Sequence, residues 1–120
     1  MIYTIDEIKK IINPIAEKYD IKELYIFGSY ARGDATEESD IDLLVDRENS
    51  KIKSIFDLSG FRIDCVDALN KEVDIVTVQS LEQKKTKETS YIFISHIMKE
   101  RIKLYDRERL PGFTTHKTAL

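Results

Sequence analysis

The sequence predicts an α+β fold, a small β-sheet flanked by helices. Three observations carry this reading. Short runs rich in β-branched and aromatic residues (ELYIF, IDLLV, VDIVTV) have the composition of strands. Around them lie stretches whose apolar residues recur at helical spacing. All of this falls within 120 residues, the size of one domain.

Thr4 and Glu7 form a capping box that starts a helix near Ile5, and Ile8, Ile11, Ile12 and Ile15 give it an apolar stripe. Pro14 is expected to kink or split that helix near Ile12 or Asn13. Glu23 to Phe27 is the first strand and stops at Gly28. Ser29 to Ser39 is polar and rich in small residues; its first part suits a helical turn and the remainder a loop. Ile41 to Val45 is the second strand. Lys53 to Leu69 is a helix with the stripe Ile55, Leu58, Phe61, Cys65 and Leu69, weakened at Gly60 by about 1 kcal/mol relative to alanine. Val73 to Val78 is the third strand, and Ser80 with Gln83 suits the cap of a further helix. Tyr91 to Ile94 has strand propensity, but Ile94, Ile97 and Met98 continue at helical spacing, which favours a helix to about Glu100. A short strand follows at Ile102 to Tyr105. Residues 1–106 are read as the domain and 107–120, with Pro111-Gly112, as a mobile tail.

Hydrophobic residues make up 42% of the chain and charged residues 34%, with a net charge of −3. This balance fits a globular domain and argues against a surface built to grip long nucleic acid. No apolar run approaches the ~20 residues needed to span a bilayer. Cys65 is the only cysteine, so no intramolecular disulfide is available, which suits the reducing cytoplasm.

The chemistry is carried by acidic residues. Asp40 and Asp42 stand two apart at the start of a strand, so their side chains share one face of the sheet. Two adjacent carboxylates repel each other unless a cation removes the conflict, and hard oxygen ligands suit Mg2+ or Mn2+. Asp74 on the next strand is placed to complete a cluster of three. Upstream, Gly28-Ser29 ends the first strand. Glycine allows close backbone approach to a phosphate, and successive N–H groups in a turn or at a helix start bind anions. Each feature alone has an ordinary structural explanation. Their combination and order favour chemistry on a nucleoside triphosphate.

The stretch GSYARGDATEESDIDLLVD, Gly28 to Asp46, closely resembles the signature of the nucleotidyltransferase superfamily that includes DNA polymerase beta: Gly-Ser, ten residues, then Asp-x-Asp. The resemblance extends over about the first 105 residues, through the segment KERIKLYD. It implies a polymerase beta-like fold with a small mixed sheet, catalytic and metal-holding roles for Asp40, Asp42 and Asp74, and nucleotide contacts from Gly28 and Ser29. Arg32, also within the signature, either contacts phosphate or braces the loop. Two Mg2+ ions about 3.5–4 Å apart would serve the transfer.

Within that superfamily the chain looks most like the minimal nucleotidyltransferases, antitoxins that act beside a HEPN-domain toxin. The resemblance implies transfer of AMP from ATP onto a tyrosine of that ribonuclease partner. Two alternatives stay open: a non-catalytic antitoxin that neutralises by stoichiometric binding, and transfer to a small-molecule or RNA hydroxyl. After Tyr105 the chain leaves no residues for a second domain, so an open cleft completed by the acceptor protein is expected. Self-association is left open.

Overall fold

A computed structural model describes residues 1–83 and 88–109 of the chain. Helix α1 runs over Ile5–Lys18. Its capping box forms as read, with Glu7 N–H donating to Thr4 Oγ1 and Thr4 N–H donating to Glu7 Oε1. Pro14 does not split it: one helix passes through the proline. Ile8, Ile12 and Ala16 are fully buried along its inner face and hold both halves on the sheet.

Strands β1 (Glu23–Phe27), β2 (Ile41–Asp46), β3 (Val73–Thr77) and β4 (Ile102–Asp106) form one sheet in the order β3-β2-β1-β4. β1 is antiparallel to β2 and β4, whereas β2 and β3 run parallel, so the sheet is mixed. The parallel pair needs a crossover, and α3 (Ile55–Leu69) supplies it. Ser54 caps α3 by accepting from Asp57 N–H, and Asn70 in the left-handed region ends it. Phe61, Cys65 and Leu69 of its stripe are buried, but Ile55 is 74% exposed. It sits in the first turn, before the helix reaches the sheet. Gly60 has a packing reason: a Cβ there would come within 3.2 Å of the hydroxyl of Tyr19, the residue that caps α1.

Between β1 and β2 lies the one-turn helix α2 (Ser29–Arg32), flanked by Gly28 and Gly33 at positive φ. After β3, helix α4 covers Val78–Gln83. The expected cap at Ser80 is corrected to Thr77, whose Oγ1 accepts from Ser80 N–H. Thr77 is also the last residue of β3, which hid the cap within a strand-like run. Helix α5 spans Glu88–Glu100, in agreement with the helical reading of YIFI. A short 3-10 turn, Arg107–Arg109, follows β4, and Arg107 Nη1 donates to the carbonyls of Asp20 and Asn49. Residues 110–120 of the expected tail lie outside the described residues.

Alternation along the strands sorts two cores. Leu24 and Ile26 of β1 and Ile41, Leu43 and Val45 of β2 face α1 and α3. Tyr25, Phe27 and Leu44 face the other way, toward Leu81 of α4 and Ile97 of α5. Asp42 lies between Ile41 and Leu43 and so points to the α4/α5 side.

Candidate active site

Asp42 is paired in register with Phe27 on one side and with Asp74 on the other. The parallel β2–β3 pairing therefore places two carboxylate-bearing residues directly abreast. Asp40 precedes β2 by one residue and stands on the same face by the two-residue repeat. Asp40 and Asp74 are exposed and Asp42 is half-buried. Burial raises the Asp42 carboxyl to about 6, and the negative charges of Asp74 and Asp40 add to that rise; Arg32 opposes it. Among the described residues no three His, Cys, Asp or Glu side chains converge into a ready-made metal cage. The three aspartates share a field at the end of two strands without closing on one point.

Gly28 is buried beside this group, at φ 76° and ψ −153°. A Cβ at this position would collide with the Asp42 carboxylate. The glycine thus serves two needs: a backbone conformation that L side chains rarely adopt, and room for Asp42. Ser29 begins α2, and its carbonyl accepts from Gly33 and Asp34 N–H. Arg32 is half-exposed and braced by two carboxylates: Nη1 lies 3.2 Å from Glu100 Oε2, and Nε lies 3.4 Å from Asp34 Oδ2. Glu100 also accepts the N–H of Gly28 at 3.0 Å. Sequence reasoning missed Glu100, which reads as a solvated charge at the end of a helix.

Other residues fall into supporting positions. Tyr30 is buried in the α1/α3 core and serves packing. Asp46 accepts from Gln79 Nε2 and Glu48 N–H and so braces the far end of β2. Cys65 is buried, and burial pushes its thiol up to about 12, which leaves it inert. A cleft of about 380 Å³ opens beside Asp40 and is lined by Tyr3, Glu38, Asn70 and Lys71 among others.

A mixed four-stranded sheet with aspartates abreast on two parallel strands, facing a glycine turn, defines a nucleotidyltransferase-type domain. The chain belongs to the family described as the nucleotidyltransferase domain, whose model matches residues 8–103. It is 46% identical over 77 residues to a Methanocaldococcus jannaschii protein provisionally named a protein adenylyltransferase, spanning 64% of this chain and 81% of that relative. Against the protein adenylyltransferase MntA of Thermococcus cleftensis it is 35% identical over 83 residues, 66% of this chain and 82% of the relative. Two solved structures share the fold. One is a toxin–antitoxin complex with AMP-PNP (TM-score 0.61, 20% identity, 82% of this chain and 73% of that one). The other is a tri-AMPylated Shewanella oneidensis HEPN toxin with its MNT antitoxin (TM-score 0.50, 18% identity, 97% and 87%).

Proposed function

We propose that this protein is an antitoxin that transfers AMP from ATP onto a hydroxyl, a tyrosine by this reading, of a partner HEPN-domain toxin. The observation that carries the proposal is the register pairing of Asp42 with Asp74, with Asp40 adjacent and Gly28 packed against Asp42. The names of the similar proteins support the substrate and the partner: relatives are named protein adenylyltransferases, and a chain of the same fold lies in complex with an AMPylated toxin.

The donor set fits Mg2+. It is all carboxylate oxygen, and both the burial of Asp42, the larger cause of its raised carboxyl, and the negative charges of Asp74 and Asp40 favour a neutralising cation. Mg2+ is commonly held by one or two carboxylates together with substrate phosphates. Asp40 and Asp42 would hold both ions of a two-metal arrangement, and Asp74 would share one of them. When bound, the metal neutralises charge on the triphosphate and lowers the pKa of the acceptor hydroxyl.

The remaining chemistry belongs to the protein. Gly28 and Ser29 orient the outgoing phosphates, and Arg32 offsets their charge. The rigid β2–β3 pair fixes where the α-phosphorus meets the acceptor. The acceptor hydroxyl gives up its proton to bulk water, its oxygen bonds to that phosphorus in line, the bond to the bridging oxygen breaks, and pyrophosphate leaves with the electron pair. The exposure of Asp40 and Asp74 leaves the acceptor side open, so the partner protein supplies the missing wall. In this reading residues 1–106 are the catalytic domain, the Arg107–Arg109 turn is fastened to it through Arg107, and the free buried Cys65 belongs in the reducing cytoplasm. Among the described residues no helix is long and apolar enough to cross a membrane.

The test is incubation of the protein with its toxin, ATP and Mg2+. The toxin is expected to gain mass in whole AMP units and lose ribonuclease activity. Asp42→Asn is expected to bind the toxin yet leave it unmodified and active. Neutralisation by Asp42→Asn equal to that by the unmutated chain would show inhibition by binding alone. Mass gain on an RNA or small molecule in place of the toxin would reassign the acceptor.

A further inference from the structure

The donors assigned to the triphosphate are already in contact with an anion of the protein itself. Glu100, in the last turn of α5, accepts the Gly28 N–H through Oε1 at 3.0 Å. It pairs with Arg32 Nη1 through both oxygens, at 3.4 and 3.2 Å. Its side chain is only 21% exposed, so these bonds are partly shielded from water. The carboxylate joins α5 to the Gly-Ser turn, reaching across 72 positions of sequence to one backbone amide.

We propose that Glu100 is a specificity-determining residue of the phosphate grip, a resident anion that a phosphate ligand must displace from Gly28 and Arg32. The inference rests on the reading of Gly28, Ser29 and Arg32 as the nucleotide contacts. Its physical content is competition. A carboxylate and a phosphate oxygen seek the same donors, and both are charge-assisted acceptors of similar reach. Two like charges cannot share Arg32 at 3 Å without repulsion. A metal-bound triphosphate brings enough contacts elsewhere, on the aspartates and the acceptor side, to win the exchange. Inorganic phosphate, AMP and the departing pyrophosphate bring fewer. Glu100 therefore filters weak phosphate ligands and returns to its donors as pyrophosphate leaves.

This residue acts through its neighbours' availability, so the test reads binding of phosphate ligands rather than activity alone. Titration calorimetry with Mg2+-pyrophosphate compares the unmutated protein with Glu100→Gln, which keeps the shape and an acceptor for Gly28 but removes the charge. Pyrophosphate is expected to bind Glu100→Gln about tenfold more tightly, and product inhibition by pyrophosphate is expected to rise in step. In an Arg32→Ala background the same change is expected to gain about threefold or less, because the contested donor is gone. Weaker or equal pyrophosphate binding by Glu100→Gln, while the unmutated protein binds Mg2+-ATP, overturns the proposal and leaves the nucleotide site standing. Failure of the unmutated protein to bind Mg2+-ATP at all overturns both. Should Glu100→Gln not fold, the Gly28 amide and Arg32 guanidinium resonances of the unmutated protein decide. They are expected to shift on saturation with pyrophosphate, and unmoved signals sink the exchange.

Discussion

The two faces of the sheet are built to different standards. On one side α1 and α3 close over a continuous apolar core, with Phe61 and Tyr19 edge to face at 5.4 Å between ring centroids. Lys18 and the Tyr19 hydroxyl both donate to Asp64 at its margin. On the other side, among the described residues, α4 and α5 bury a smaller cluster, Tyr25, Phe27, Leu44, Leu81 and Ile97, and the same face carries Asp42 and Asp74. Helix α5 leaves Tyr91, Ile92, Phe93 and Met98 about half-exposed or more. One face stores the folding free energy; the other holds carboxylates near one another at a cost that the first face sustains.

The sharpest way to separate the faces is to strike one residue on each. Asp42→Asn is expected to slow AMP transfer about a thousandfold or more, since it removes several kcal/mol of transition-state stabilisation. It is expected to leave the urea unfolding midpoint unchanged or raised. Phe61→Ala should do the opposite, losing about 3–5 kcal/mol of stability through its cavity, read from the same urea titration. A mutant on the carboxylate face that unfolds as readily as Phe61→Ala would break the distinction.

A smaller effect tests the border between the faces. Gly28→Val sets a branched side chain against Asp42 at a positive φ, so transfer is expected to fall well beyond that of Ser29→Ala, which leaves the backbone donors in place. Steady-state rates with ATP and Mg2+ give the ratio. Equal and small losses would mean the triphosphate is held elsewhere.

The smallest expected effect is a pH dependence without metal. Folded Asp42 holds its proton to about pH 6, against 3.8 for the ordinary carboxyl, so the native state binds the proton more tightly than the unfolded one. Stability therefore falls as pH rises from about 4 to about 6, and the cost is complete above that. Because Asp42 is half in solvent, the cost is discounted to about 1 kcal/mol. Chemical denaturation in EDTA is expected to show Asp42→Asn gaining that amount over the unmutated chain at pH 7 and nothing at pH 4. Saturating Mg2+ is expected to erase the difference.

Legibility followed the range of the interactions. Strands were readable because β-branched runs announce themselves locally, and α5 was readable because Ile94, Ile97 and Met98 kept helical spacing through a strand-like YIFI. Asp40 and Asp42 were readable through their two-residue repeat, but the abreast placing of Asp74 depended on the parallel β2–β3 register, which no local pattern fixes. The errors have the same origin. Pro14 has the chemistry of a breaker, yet burial of Ile12 and Ala16 on either side keeps the helix from splitting there. Ile55 fits the stripe of α3 but lies beyond the reach of the core, and Thr77 serves a strand and a cap at once. Glu100 had no signal at all, because its meaning depends on a backbone amide 72 residues away.

The order β3-β2-β1-β4 also sets a timetable. Gly28, Asp42 and Asp74 all come from the unit that runs from β1 through β3, and α3 brings that unit together by short connections. β4 must return to β1, pairing Asp106 with Glu23, and that long loop costs the most chain entropy to close. During synthesis these three residues leave the ribosome before α5 and β4. The nascent chain passes through an interval in which the Gly28 amide has no carboxylate to hold it, and the arrival of α5 and β4 ends that interval.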